Sequence, residues 1–440
     1  MARYEEIQVS KPGLILNSMA AGRDGRIWVT TENSQLFGFS AENPDEQKFV
    51  TDFAPRYGAG IVRDPYNDKK MWFTSPAEPL EKPQVPPKVD PIFEMRLGGD
   101  YAFTAHKIQK EGNPNDLIVV DTKGKAGKRF KLACTEPLHR VIAFYYPQGD
   151  GPVSMSPSAP ADTHLVGLAA VRNPNGGHTY WVAGQATHGR RENCVLKYDG
   201  QWSYAPSLPD RNAVPQSVLT DQKSVWICTQ NPHQVWKYDL DNPEEGFTTT
   251  GTLNEDGAAG RPWRMVLGPD GNVWVAAENH LYVVPADEPT EFTRVQLPAG
   301  SSARTICCGP DNTVWCANRS KGSVVRYPVK ARQASAAPGM TRMVQQNASS
   351  APVQGVIGSP MVVEYVSDGH AIPGIPLTVR LESLEAAFED GAHETVLITD
   401  ELGQATVPDV YGGSLAEQPV LSVAAAAEEI LTSLELQFTS

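Results

Sequence analysis

Three segments of this 440-residue chain are near copies of one another: GRDGRIWVTTEN at 22–33, GPDGNVWVAAEN at 268–279 and GPDNTVWCANRS at 309–320. DPYNDKKMWFTSP, NPNGGHTYWVAG and TDQKSVWICTQ set Trp72, Trp181 and Trp226 in the same frame. Trp28 and Trp72 lie 44 residues apart, and the steps from Trp181 through Trp226 and Trp274 to Trp315 are 45, 48 and 41. A unit this short cannot bury its apolar face alone and must stack on its neighbours. A period of roughly 40–50 residues with several short strands per unit is that of a propeller blade.

The internal grammar of the unit supports that reading. The DG and DN pairs supply the positive φ angles that a tight hairpin turn requires, between two short apolar runs. After each Trp strand comes a polar break and then a third strand, QLFGFS, CVLKYD, QVWKYD, HLYVVP or SVVRYP. A fourth strand is expected in EFTRVQLP (291–298) and in KRFKLA (128–133). The N-terminal EEIQVSKPG resembles these outer strands, whereas the last unit lacks one of its own, so the first strand is expected to close the ring. Between 76 and 163 the repeat blurs around the Pro-rich EPLEKPQVPPKVDP and PQGDGPVSMSPSAP. The expected architecture is all-β: a seven-bladed β-propeller over 1–330, with six blades as the alternative. ARQASAAPGMTRMVQQNASSAPV (331–353) reads as a linker, and the alternating strands of 354–440 as a β-sandwich.

A net charge of −13 disfavours a nucleic-acid partner. MARYEEIQVSKPG lacks the basic start and apolar run of a secretory signal, and no segment is apolar for the length of a membrane helix. The default compartment is cytoplasmic, with export by a signal-independent route as the alternative. Cys134, Cys194, Cys228, Cys307, Cys308 and Cys316 show no CxxC spacing and read as small apolar residues.

The unit DG-x-h-W-V-x-x-E-N resembles that of the streptogramin (virginiamycin B) lyase propellers over about 1–330. In that family Mg²⁺ and a histidine base open a cyclic depsipeptide by elimination, with the histidines in a P-H-G-I or P-H-A-I context. At the matching places this sequence has RPWRMVLG and SSARTICC, which put Trp263 and Arg304 at the two histidine positions, and a serine where a metal-holding glutamate would be. WCANRS puts Arg319 at a further glutamate position. The resemblance therefore implies the fold without the lyase site, and Mg²⁺ only if the activity survives; EPLHRV (Glu136, His139) is its one residual echo. GIPLTVRLE and TDELGQATVP resemble the bacterial Ig-like domains of intimin and invasin, which space or present other modules.

The recurrent tryptophans read as blade-to-blade packing. Trp263 and Arg264 differ, since they stand at the start of an inner strand, where propeller side chains reach the channel mouth. Glu32 with Asn33 and Glu278 with Asn279 fall on the same rim, where they either bind a ligand or satisfy loop backbone groups. His164, His188, Arg190 and Arg191 mark a rim loop of the fourth blade as a recognition patch or a solvated loop. His280 opens a strand and alternates with Tyr282, so it reads as a strand residue and not a metal ligand. The expectation is a non-catalytic binding or scaffolding protein, without cofactor, that recognises a protein or glycan at the propeller rim. The alternatives are a divergent enzyme using Glu278, Glu32 and His164, or a component of a secreted or injected assembly.

Overall fold

The computed structural model describes the chain except residues 1–3, 10–14, 23, 32–34, 45, 51–59, 65–69, 75–90, 98–102, 108–115, 126–127, 138, 148–153, 161–162, 174–176, 187–192, 254–259, 310–312, 320, 330–338, 346–349, 358–360, 368–369, 372–375, 384, 389–391, 400–402, 415, 417, 426–431 and 440. The chain divides into two compact units, the first comprising Met1–Gly268 and Asn272–Val329 and the second Lys330–Ser440 with Pro269–Gly271. The regular secondary structure among the described residues is almost entirely strand, and no helix among them is long and apolar enough to cross a membrane.

Among the described residues, seven four-stranded antiparallel sheets make up the first unit. Their inner strands are Leu16–Ala21, Gly60–Arg63, Leu117–Lys125, Thr163–Arg172, Pro215–Thr220, Pro262–Leu267 and Ala303–Cys308. Each packs beside the inner strand of the next sheet, and the seventh packs beside the first, so the series closes on itself. The seventh sheet takes its outer strand from the N-terminus, where Glu5–Gln8 pairs with Ser323–Pro328. Closure of this kind leaves few exposed strand edges. One strand assignment is corrected: Lys128–Glu136, which contains KRFKLA, is the second strand of the third sheet and not a fourth strand. Its apolar alternation suits either place, and the missing Trp removed the marker that tells them apart.

The DG turns form as expected, with Gly25 at φ 72° and Gly271 at φ 74°, conformations that residues with a Cβ avoid. The turn aspartate has a second task. Asp24 accepts from the Trp28 indole N–H at 3.2 Å, Asp64 from Trp72 at 3.0 Å and Asp221 from Trp226 at 3.1 Å. Turn and tryptophan therefore recur together because a buried indole N–H needs an acceptor. Trp28, Trp72, Trp226 and Trp315 are fully buried, and Trp181 and Trp274 nearly so. Each sits in the apolar cluster between its own sheet and the next. The residue facing it on the third strand adapts: a Cβ at Gly38 would stand 2.6 Å from the Trp28 ring, while Lys197, Lys237 and Arg326 lay cations over Trp181, Trp226 and Trp315 at 5.5, 5.3 and 5.4 Å.

In the second unit one core, including Val363, Leu377, Val379, Val407, Leu421 and Phe438, draws on several sheets, of which two are the largest. One is built on Met361–Ser367 and the other on Pro376–Glu382. The segment read as a linker carries structure: Gly339–Gln345 pairs with Met361–Ser367, and Ser350–Pro352 runs parallel to Gln437–Thr439. Its Ala- and Ser-rich composition hid strands whose stability comes from cross-strand partners more than from intrinsic propensity.

Candidate functional site at the propeller mouth

Antiparallel pairing puts the starts of all seven inner strands and the ends of all seven second strands on one face. Five inner strands carry an extra residue there, as the register shifts between Leu16 and Ser18, Leu165 and Gly167, Pro215 and Ser217, Pro262 and Arg264, and Ala303 and Thr305. A bulge leaves one residue unpaired and re-aims its side chain. The bulged residues are Asn17, Val166, Gln216, Trp263 and Arg304, so two of the candidates from the sequence occupy equivalent places in adjacent sheets.

Their geometry follows from that equivalence. The Arg304 guanidinium carbon lies 3.9 Å from the centre of the Trp263 ring, a stacked cation–π contact. Trp263 is half-buried, and its indole N–H has no hydrogen-bond acceptor within the described residues. Arg264 points elsewhere and reaches Asp116 Oδ1 at 2.6 Å. Asp116 is buried just before the third inner strand; its Oδ2 accepts the Leu168 N–H of the fourth sheet at 3.0 Å. The sixth and third sheets stand on opposite sides of the ring, so this ion pair crosses the channel. Asp116 carried no distinguishing signal, because an acid ahead of an apolar strand is ordinary and its partner is 148 residues away.

The third sheet contributes a second cluster on the same face. Glu136 is fully buried at the end of its strand, and its Oε2 accepts the backbone N–H of His139 at 2.6 Å and meets His139 Nδ1 at 2.8 Å. His164 belongs near this cluster and not with Trp263: burial lowers its pKa and the charge of Glu136 opposes the shift. A cavity of about 430 Å³ is lined by His139, Arg140, Met155, Ser156, Pro157 and Ser158. Arg140 holds φ at 58°, uncommon for a residue with a Cβ.

Glu278 and Asn279 form the half-buried turn after the sixth sheet's second strand, where the Glu278 N–H donates to Arg261 O at 3.2 Å. His280 begins the third strand, with Nε2 3.2 Å from Gln296 Oε1, and its ring lies near Tyr282. Glu32, Asn33, His188, Arg190 and Arg191 lie outside the described residues. All six cysteines are free thiols; burial pushes Cys134 and Cys228 up to about 12, which suits packing and not nucleophilic chemistry.

Magnesium asks for hard oxygen ligands. The residues at the lyase-matching places offer an indole, a serine hydroxyl and the guanidinium groups of Arg304 and Arg319, with no carboxylate among them, a donor set that does not fit. Among the described residues no group of three or more His, Cys, Asp or Glu is placed to hold a metal ion.

No protein-family model matches the chain, and no curated protein does. Solved structures do. A streptogramin B lyase aligns at TM-score 0.57 and 14% identity, over 74% of this chain and 96% of its own. A catalytically inactive virginiamycin B lyase from Staphylococcus aureus with quinupristin aligns at 0.57 and 11%, over 75% of this chain and 100% of its own. YCF48 bound to a D1 peptide aligns at 0.52 and 14%, over 76% and 97%. The class is thereby defined: this is a β-propeller protein whose solved neighbours include the virginiamycin B lyases, at identities that speak to fold alone.

Proposed function

We propose that this protein is a binding and scaffolding module, and that its propeller mouth recognises an acidic segment of a partner protein. The observation that carries the reading is the stack of Arg304 on Trp263, at the places where a lyase pattern would have histidines. A guanidinium is a planar fork of N–H donors whose geometry matches a carboxylate. Arg264 contributes differently: bound to Asp116, it braces the channel and leaves Arg304 as the recognition cation. The neighbours support a binding role, since one propeller among them is bound to a peptide. In this reading the second unit is an Ig-like spacer or docking module.

An Asp/Glu-rich peptide selected from a display library against the full chain tests the reading. Trp263→Ala and Arg304→Ala should each weaken its binding by about tenfold or more, and added salt should weaken it further. A glycan ligand would respond to Trp263→Ala but not to Arg304→Ala or salt. Peptide binding that ignores both substitutions would end the proposal.

A further inference from the structure

The cavity beside the third sheet is built by that sheet's own hairpin and the segment that returns along it. The chain turns between Glu136 and Val141, the last cross-strand pair of the second and third strands. Arg140 closes this turn at φ 58°, a conformation whose usual occupants are glycine and asparagine. Its carbonyl accepts the Ala159 N–H at 2.6 Å, which ties the returning segment to the turn. The Ser156 N–H donates to Ile142 O at 2.9 Å, and the Ile142 N–H donates to Ser156 Oγ at 2.9 Å. Pro157 O accepts from Ser156 Oγ at 2.9 Å and from the Trp202 indole N–H, on the fourth sheet, at 2.6 Å. The wall from Ser156 to Ala159 is therefore fixed in place ahead of any ligand, and its ordering is not charged to binding.

The polar groups along this wall suit an anion. Glu136, fully buried, accepts the backbone N–H of His139 and meets Nδ1 of its ring, which turns Nε2 away from the carboxylate and gives the imidazole one orientation. The other carboxylate whose charge reaches Cys134 on this strand, Asp116, is held by Arg264. The side chains of Arg140 and Ser158 make no hydrogen bond or ion pair among the described residues, and no carboxylate among those residues lines the cavity. Val141, Met155 and Pro157 make the rest of the lining apolar. A volume of about 430 Å³ holds more than a bare ion. An arginine at a left-handed turn position, where glycine would sit without strain, with no partner among the described residues and a cavity beside it, has a ligand to meet and no packing role to fill.

We propose that this cavity is a second binding site, separate from Trp263 and Arg304, for a small organic anion. The ligand's carboxylate meets the Arg140 guanidinium, with Ser158 Oγ and His139 beside it, and its apolar body lies against Met155 and Pro157.

Modification of the full-length protein by phenylglyoxal, which attacks guanidinium groups, tests this with benzoate as the probe and peptide mass mapping as the readout at Arg140. Benzoate at about 10 mM should slow the modification of Arg140 about tenfold, the protection given by a dissociation constant on the order of 1 mM. Benzyl alcohol, which lacks the charge, and acetate, which lacks the ring, should each protect about tenfold less well. Protection should persist in Arg304→Ala, because the mouth is a different site. Absence of protection at Arg140 in the unsubstituted protein, protection by benzyl alcohol or acetate equal to that by benzoate, or protection that is lost in Arg304→Ala would each overturn the proposal.

Discussion

Six of the propeller's sheet-to-sheet interfaces are packed around an indole, and the one between the third and fourth sheets is packed around a lysine amine and three other aromatic rings. Four of the six, at Trp28, Trp72, Trp226 and Trp315, share one solution, in which an aspartate or a neighbouring threonine hydroxyl accepts the indole N–H. The remaining interface keeps the backbone plan and changes the chemistry. Where the repeat is kept, as at Trp28, Trp72, Trp226 and Trp315, its residues pack between sheets; it is departed from at Lys131, and bulges re-aim Trp263 and Arg304.

The largest effect that would sharpen this contrast is Trp226→Ala. It opens a cavity between the fifth and sixth sheets and strips Asp221 of a donor, and should cost about 3–5 kcal/mol of unfolding free energy in urea titrations. Asp116→Ala should cost somewhat less, about 2–3 kcal/mol, because it strands the Arg264 cation in a half-buried channel. Equal stability in both variants would show that neither the repeat nor the cross-channel pair holds the ring together.

Lys131→Met should act in the opposite direction and stabilise the protein at pH 7, by about 1 kcal/mol once solvent screening of a partly exposed amine is allowed for. The folded amine titrates near 8, below its ordinary value. The charged form is therefore penalised below pH 8, and the gain should fade as pH rises toward the unfolded lysine value of about 10.4. A destabilised variant would make the third–fourth interface a structural equal of the others. The smallest effect is acidic. His178 has a depressed folded pKa, so its contribution is complete above the unfolded value of about 6.5 and is lost as pH falls toward 4. His178→Phe should flatten the stability curve in that window alone, as read from thermal unfolding at several pH values.

Much of this was legible from residues. Trp28, Trp226, Trp274 and Trp315 set the frame, the DG turns marked the hairpins, and the phase of the repeat pointed to Trp263 and Arg304 at the mouth. What stayed hidden is non-local. Nothing near Asp116 announces a partner across the ring, and nothing near Lys131 announces rings from two sheets. The bulges at Trp263 and Arg304 are a register property of paired strands, invisible in either strand alone. The strands inside 331–353 were hidden for the same reason, since their partners supply the order that composition did not suggest.

The proposed role of the mouth is binding without catalysis. Its most direct test is incubation of the full-length chain with quinupristin and Mg²⁺, with ring opening followed by mass spectrometry. The account predicts no opening above the rate without protein. Mg²⁺-dependent opening that disappears in His139→Ala or Glu136→Gln would contradict it, and would move the working site from Trp263 and Arg304 to the edge of the third sheet.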